Sequence, residues 1–263
     1  MTLLNFDKIE PIENRLILHI PHSSNKIPDI SGYLVNDNEL ENEMLLLVDW
    51  HTDDLFFCDN TIPIIADFSR VFCDVERFAD DNVEPMAISG MGALYIRLDN
   101  GNRLRVVSDE LKIKILNEYY YKHHKNLHSA VQHQLNNCGT ALIIDCHSFS
   151  VQPFKRDLNK DLPRPDICIG INQFHTPQSL VDYSTAFFRD KGLSVKVNDP
   201  YKGTMVPMEY YQKDSQVQSI MIEINRALYL KPGTNVKSQG YDTIKSIIHE
   251  FLSKVNIVTQ QIS

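Results

Sequence analysis

ALIIDCHSFS, residues 141–150, is the stretch on which the fold turns. Its first four residues, Ala141 to Ile144, are apolar without interruption, the pattern of a strand covered on both faces. Asp145, Cys146, His147 and Ser148 follow at once. In an open α/β sheet, ligands and chemistry gather where strands end, because loop side chains there sit on a rigid support. An acid, a thiol, an imidazole and a hydroxyl at such an edge make a candidate metal or catalytic site. The competing reading is a core strand that simply ends in a polar turn.

Just before this strand, Asp109 to Asn136 has the longest helical periodicity in the chain. Ser108 or Asp109 would cap it, and Gly139 would end it. His124 and His128 lie four residues apart within it and could present two imidazoles on one face. The segment contains no H-E-x-x-H, so the helical metalloprotease signature is absent.

Farther upstream, Arg15 to Ile20 predicts a strand, with His19 inside it and His22 in the loop beyond; the loop position favours His22 for chemistry. Residues 38–59 predict a helix that places Asp49 and Asp53 on one face, with Asp54 beside them. Thr61 to Ser69 predicts a second strand, followed by Arg70, Asp74, Glu76 and Arg77. Two arginines beyond a strand end suit a carboxylate clamp, since guanidinium binds carboxylates through a planar fork. Residues 93–98 and 104–107 flank Asn100-Gly101, a hairpin signal that suggests a mixed sheet.

Downstream, strands are expected at 166–171, 193–197 and 218–225, with helices at 178–191 and 240–255. The strand at 218–225 exposes Glu223 close to Arg226. Alternating strands and helices, with no internal repeat, predict one α/β domain over residues 1–263, its core at about 15–250 and helices on both faces of a mixed sheet. No glycine-rich nucleotide-binding fingerprint occurs, nor a G-x-S-x-G elbow.

Composition narrows the function classes. The 263 residues carry 26 Lys plus Arg against 34 Asp plus Glu, a net charge of −8 that argues against a nucleic-acid partner. No apolar run approaches the roughly 20 residues that span a bilayer, and the N-terminus MTLLNFDKIEP lacks signal-peptide form, so no membrane partner is expected. The five cysteines are odd in number and widely spaced, which suits free thiols in a reducing cytoplasm. Oligomeric state is left open.

Eight blocks, taken together and in order, resemble the N-formylglutamate amidohydrolase family. They are PHSS (21–24), DWHTDDL (49–55), SRVFCDVERF (69–78), YKHHKNLH (121–128), IDCHSFS (144–150), PDICIG (165–170), NDPYKG (198–203) and IEINRALY (222–229). That family is similar in turn to zinc carboxypeptidases and the desuccinylase/aspartoacylase group. The resemblance implies a three-layer α/β/α fold, one zinc ion per chain (or another divalent metal), and hydrolysis of N-formyl-L-glutamate, a small anionic substrate, to formate and glutamate. It also implies a link to histidine degradation.

Carried over by position, it makes His22 and His147 metal ligands and Glu223 the general acid/base. Arg70, Arg77 and Arg226 would contact substrate carboxylates. Relatives with an H-x-x-E motif take their acid ligand from its fourth position, which here is Asn25. A neutral amide is a poor substitute, so Asp53 is the expected acid, with Asp49 or Asp54 behind it. Asp145 would orient a ligand imidazole, and His124 and His128 are further candidates. The same machinery acting on another N-acyl amino acid or a small peptide is the alternative activity. A binding protein that keeps the fold without catalysis is the alternative class.

Overall fold

The computed structural model describes residues 15–260, with side chains through Val255. The N-terminal segment read above lies outside the described residues. Six strands build one sheet: β1 (Ile17–Ile20), β2 (Ile62–Ile65), β3 (Ala141–Phe149), β4 (Ile167–Gly170), β5 (Val195–Val197) and β6 (Val217–Asn225). Their spatial order is β2-β1-β3-β6-β4-β5. The strands β2, β1, β3 and β6 run parallel, while β4 pairs antiparallel with β6 and parallel with β5. The sheet is mixed, as expected, but for a different reason. Residues 93–107 do form a tight hairpin, with Leu98 N–H donating to the Asn102 carbonyl, yet it stands apart from the sheet; the inverted strand is β4.

Helices cover both faces. On one side, α2 (Thr52–Phe56), α5 (Gln178–Asp190) and α6 (Tyr241–Gln260) pack against Leu18, Ile144, Ile222 and Ile224. On the other, α4 (Tyr121–Cys138) lays Leu127, Ala130 and Val131 against Ile17, Ile64 and Ile143. Successive strand residues point to opposite faces, so β3 needs apolar residues at every position, and Ala141 through Ile144 supply them. Among the described residues, no helix is long and apolar enough to cross a membrane.

The Phe251 ring is fully buried, with its centroid 5.4 Å from that of Phe187 and 4.9 Å from that of Phe188. Emptying such a site loses both transfer energy and packing. Phe251→Ala is expected to destabilise the chain by about 3–5 kcal/mol in urea unfolding; a loss below about 1 kcal/mol would contradict this packing.

Three elements depart from the periodicity reading. The long helix before β3 is real, capped by Ser108 and ended by Gly139 at φ +74°, but a π-helical turn at Leu116–Tyr120 joins α3 (Asp109–Ile115) to α4. Strand β3 continues through Phe149 rather than ending near Ile144. The helix expected over 38–59 breaks after α1 (Asp37–Leu47): Val48 is extended, His51 is left-handed at φ +64°, and only the short α2 resumes. The break has a local cause. Asp49 N–H donates to the His22 carbonyl, and its carboxylate is drawn into the buried site. Asp49 and Asp53 therefore do not share a helix face.

Candidate active site

The C-terminal ends of β2, β1, β3 and β6 lie side by side, and each contributes to one cluster. The alternation of β3 puts Asp145 and His147 on the α4 side of the sheet and Cys146 in the opposite core. Across the β3–β6 register His147 faces Glu223, and across the β1–β3 register His19 faces Asp145. His22 enters from the loop after β1, and Glu76 from the segment after β2.

Donor atoms of His22, Glu76 and His147 all lie within 4.8 Å of one another. His22 Nδ1 is 3.7 Å from Glu76 Oε2, and His147 Nε2 is 3.1 Å from Glu76 Oε1. Each imidazole is held from behind by a carboxylate: His22 Nε2 by Asp74 at 2.9 Å, His147 Nδ1 by Asp49 at 3.1 Å. That is how histidine ligands are fixed in orientation around metals. His22 Nδ1 is buried and has no hydrogen-bond partner.

Electrostatics agree with the geometry. Burial and the charge of Arg70 disfavour a protonated His22, but Asp74 and Asp49 outweigh them and raise its pKa. Burial likewise opposes protonation of His147, yet Glu76 and Asp145 hold its pKa well above the ordinary value. Asp74 is held far below the usual carboxylate range: His22, Arg70 and Arg77 overcome its burial. The cluster thus attracts positive charge. Two imidazoles and a carboxylate with one unpartnered nitrogen fit a divalent cation with nitrogen and oxygen preference.

Glu223 is buried, with Oε2 lacking any partner. Burial first, then the charges of Asp49 and Glu76, push its pKa up to about 8, against the opposing pull of His147 and Arg70.

A model of the N-formylglutamate amidohydrolase family matches residues 14–230. The chain belongs to this family. It is also similar in structure to the crystallised N-formylglutamate amidohydrolase of Ralstonia eutropha JMP134. That likeness has a TM-score of 0.82 and 22% identity, and covers 95% of this chain and 96% of the other. A second likeness, to gene product Atu2144 of Agrobacterium tumefaciens, has a TM-score of 0.63 and 16% identity, and covers 94% and 92% of the two chains. No curated protein matches in sequence.

Set against the residues singled out from the family's motifs, the structure brings His22, His147, Asp49, Asp145 and Glu223 together. Asp53 is the main correction. It is exposed on α2, and Glu76 stands beside the two imidazoles in its place. Asp54 is also elsewhere, tying α2 to Lys237, Tyr241 and Lys245. His124 Nε2–H donates to the Val75 carbonyl at 2.8 Å, its pKa lowered to about 4 by burial, and His128 stacks on Tyr210. Neither joins the donor group, because the ring of each is spent on a neighbouring loop.

The arginines divide. Arg70 donates to Asp74 at 3.0 Å and to the Tyr95 hydroxyl at 3.2 Å, and Arg77 Nε lies 3.8 Å from Asp74, buried without a hydrogen-bond partner. Arg226 is turned inward instead. It donates to the Leu46 carbonyl at 2.5 Å, to Asp49 at 2.8 Å and to Ser148 Oγ at 3.1 Å, so it braces Asp49 rather than facing the cluster. Thr204, which follows PYKG, hydrogen-bonds Ser219 Oγ at 2.6 Å, and the neighbouring Met205 N–H donates to Asp145 at 2.8 Å.

Glu76 could have been found from the sequence. It sits in the SRVFCDVERF block beyond β2, but reading that block as a carboxylate clamp absorbed both of its acids. Glu76→Gln is expected to weaken metal binding by more than about 100-fold, the upper range for loss of an outer carboxylate. Asp53→Asn should leave it unchanged. Equilibrium dialysis of the two variants checks both; equal losses would return Asp53 to the site.

Proposed function

We propose that the chain hydrolyses the amide bond of N-formyl-L-glutamate, giving formate and L-glutamate, with a divalent metal, zinc in the first instance, held by His22, Glu76 and His147. One observation carries the reading: those three donors converge within 4.8 Å directly beside buried Glu223. A cation held there supplies Lewis acidity, which polarises the amide carbonyl and eases deprotonation of water.

The remaining work belongs to the protein's own groups. Glu223 Oε2, buried beside the donor group and free of any partner, takes a proton from the attacking water and returns it to the departing amine nitrogen, as a positioned carboxylate can in both directions. Asp74 and Asp49 keep the two imidazoles aimed inward, and Arg226 keeps Asp49 in place. Arg70 and Arg77 pair with substrate carboxylate; together they exceed the single charge of Asp74 and leave one positive charge for the ligand. The chain then acts on a small anionic substrate, in keeping with its expected place in the cytoplasm and in histidine degradation.

The test pairs metal content of the purified chain with formate release from N-formyl-L-glutamate. About one or more equivalents of metal with release supports the reading. Metal without release moves the substrate to another N-acyl amino acid, and a chain that takes up no metal under reconstitution is a binding protein instead.

A further inference from the structure

We infer that the buried hydroxyl of Tyr95 is a positioning group for substrate binding, acting through Arg70. The inference rests on the reading of Arg70 and Arg77 as contacts for a substrate carboxylate. Tyr95 arrives from the hairpin over residues 93–107, which takes no part in the sheet, and it is fully buried. Its hydroxyl donates to Asp74 Oδ2 at 2.6 Å and accepts from Arg70 Nε at 3.2 Å. Arg70 Nη2 donates to the same carboxylate oxygen at 3.0 Å. Both directions at the hydroxyl are fixed by chemistry, since a guanidinium only donates and an ionised carboxylate only accepts.

The two oxygens of Asp74 serve opposite halves of the site. Oδ1 takes His22 Nε2 at 2.9 Å and the Glu76 N–H at 3.0 Å, both belonging to the donor group. Oδ2 faces Arg70 and, at 3.8 Å, Arg77 Nε. A ligand carboxylate that pairs with these arginines competes with Oδ2 for them. Tyr95 meets that competition with a neutral group. Its donated bond keeps Oδ2 anchored when the arginines turn to the ligand. Its accepted bond fixes the plane of the Arg70 guanidinium without cancelling any of its charge. Orientation of that plane is what a fork-shaped contact needs. Among the described residues Arg70 Nη1 makes no hydrogen bond, and the side chain keeps 14% exposure, so the terminal edge of the fork is left for a ligand.

The hydroxyl is itself firmly placed. The Asp74 N–H donates to the Ala93 carbonyl at 2.7 Å, which ties the hairpin to the turn that carries Arg70 and Asp74. Arg105, also buried, donates to the Tyr95 carbonyl at 2.7 Å and to the Phe72 carbonyl at 2.6 Å. Both ends of Tyr95, backbone and hydroxyl, are therefore bound to the segment over residues 70–74.

Binding and turnover by the zinc-loaded, full-length chain test the role, with L-glutamate titrated by calorimetry and N-formyl-L-glutamate as substrate. Tyr95→Phe keeps the buried ring. It should weaken L-glutamate binding and raise KM by about 10-fold, the lower range for a lost hydrogen bond to a charged group. Because the contact served is uniform binding, kcat should stay within about threefold, with zinc content unchanged. Arg70→Lys keeps the charge but lacks the Nε bond, so it should weaken binding as well. Adding Tyr95→Phe to Arg70→Lys should then change affinity by less than about twofold, since residues acting through one contact are not additive. Wild-type affinity in Tyr95→Phe overturns the role of Tyr95, and so does a full further loss in the double variant. Wild-type affinity in Arg70→Lys overturns it too, without depending on the tyrosine variant folding. A fall in zinc content or kcat with KM unchanged moves Tyr95 to the metal half of the site and also overturns it. Arg70→Gln separates the two readings: weakened binding there leaves the arginine contact standing whatever Tyr95 does, and wild-type binding removes that contact itself.

Discussion

Glu223→Gln should lower kcat for formate release by about 10²–10⁴-fold, the range over which a positioned proton-transfer group acts, while bound metal and KM stay near wild type. The substitution keeps the shape of the side chain and removes only its capacity to take a proton. Glu223 lies opposite His147 in the strand register but is not among the convergent donors, so the metal group should survive its loss. Oε2 makes no hydrogen bond, so no partner is stranded when it becomes an amide. Turnover within tenfold of wild type would remove Glu223 from the proton path.

His147→Ala is expected to act differently, abolishing metal binding and activity together. His147 Nδ1 rests on Asp49 and Nε2 faces Glu76 and Asp145 at 3.1 Å, so truncation leaves three carboxylates around an empty volume. Removing one partner from a buried ionic cluster costs about 3–5 kcal/mol. A lower thermal midpoint should therefore accompany the metal loss, even when wild type and variant are compared in chelator. Activity retained above about 1% of wild type with metal still bound would exclude His147 as a ligand. The contrast between the variants is the informative result: Glu223→Gln keeps metal without turnover, and His147→Ala keeps neither.

Much of this arrangement was legible before the structure. The run Ala141–Ile144 announced a strand covered on both faces, and the two-residue period placed Asp145 and His147 on one side. His22 followed from its position just beyond a strand, and Glu223 from a strand that carried a lone acid. What stayed hidden was set by tertiary contact. The helical periodicity of 38–59 says nothing of the pull that His147 and Arg226 exert on Asp49, which breaks the helix and sends Asp53 to the surface. Arg226 reads as one more ligand-facing cation until its bonds to Leu46, Asp49 and Ser148 are seen. His19 looks like a core residue, and is one, yet only the register with β3 reveals that it faces Asp145.

The inversion of β4 has a consequence for how this scaffold can vary. A parallel β4 would oblige the chain to travel the length of the sheet before re-entering it. Because β4 runs against β6, the chain leaves β3 at Phe149 and returns at Ile167 on the same rim, next to the reactive groups. Residues 150–166 therefore form an excursion that begins and ends at one place, cinched by Arg164 through Asp157, the Ser150 carbonyl and the Tyr201 hydroxyl. Doubling the length of such an excursion costs only about 0.6 kcal/mol in closure entropy. The rim can thus vary in length and shape while strand order, register and the inward-facing imidazoles stay fixed.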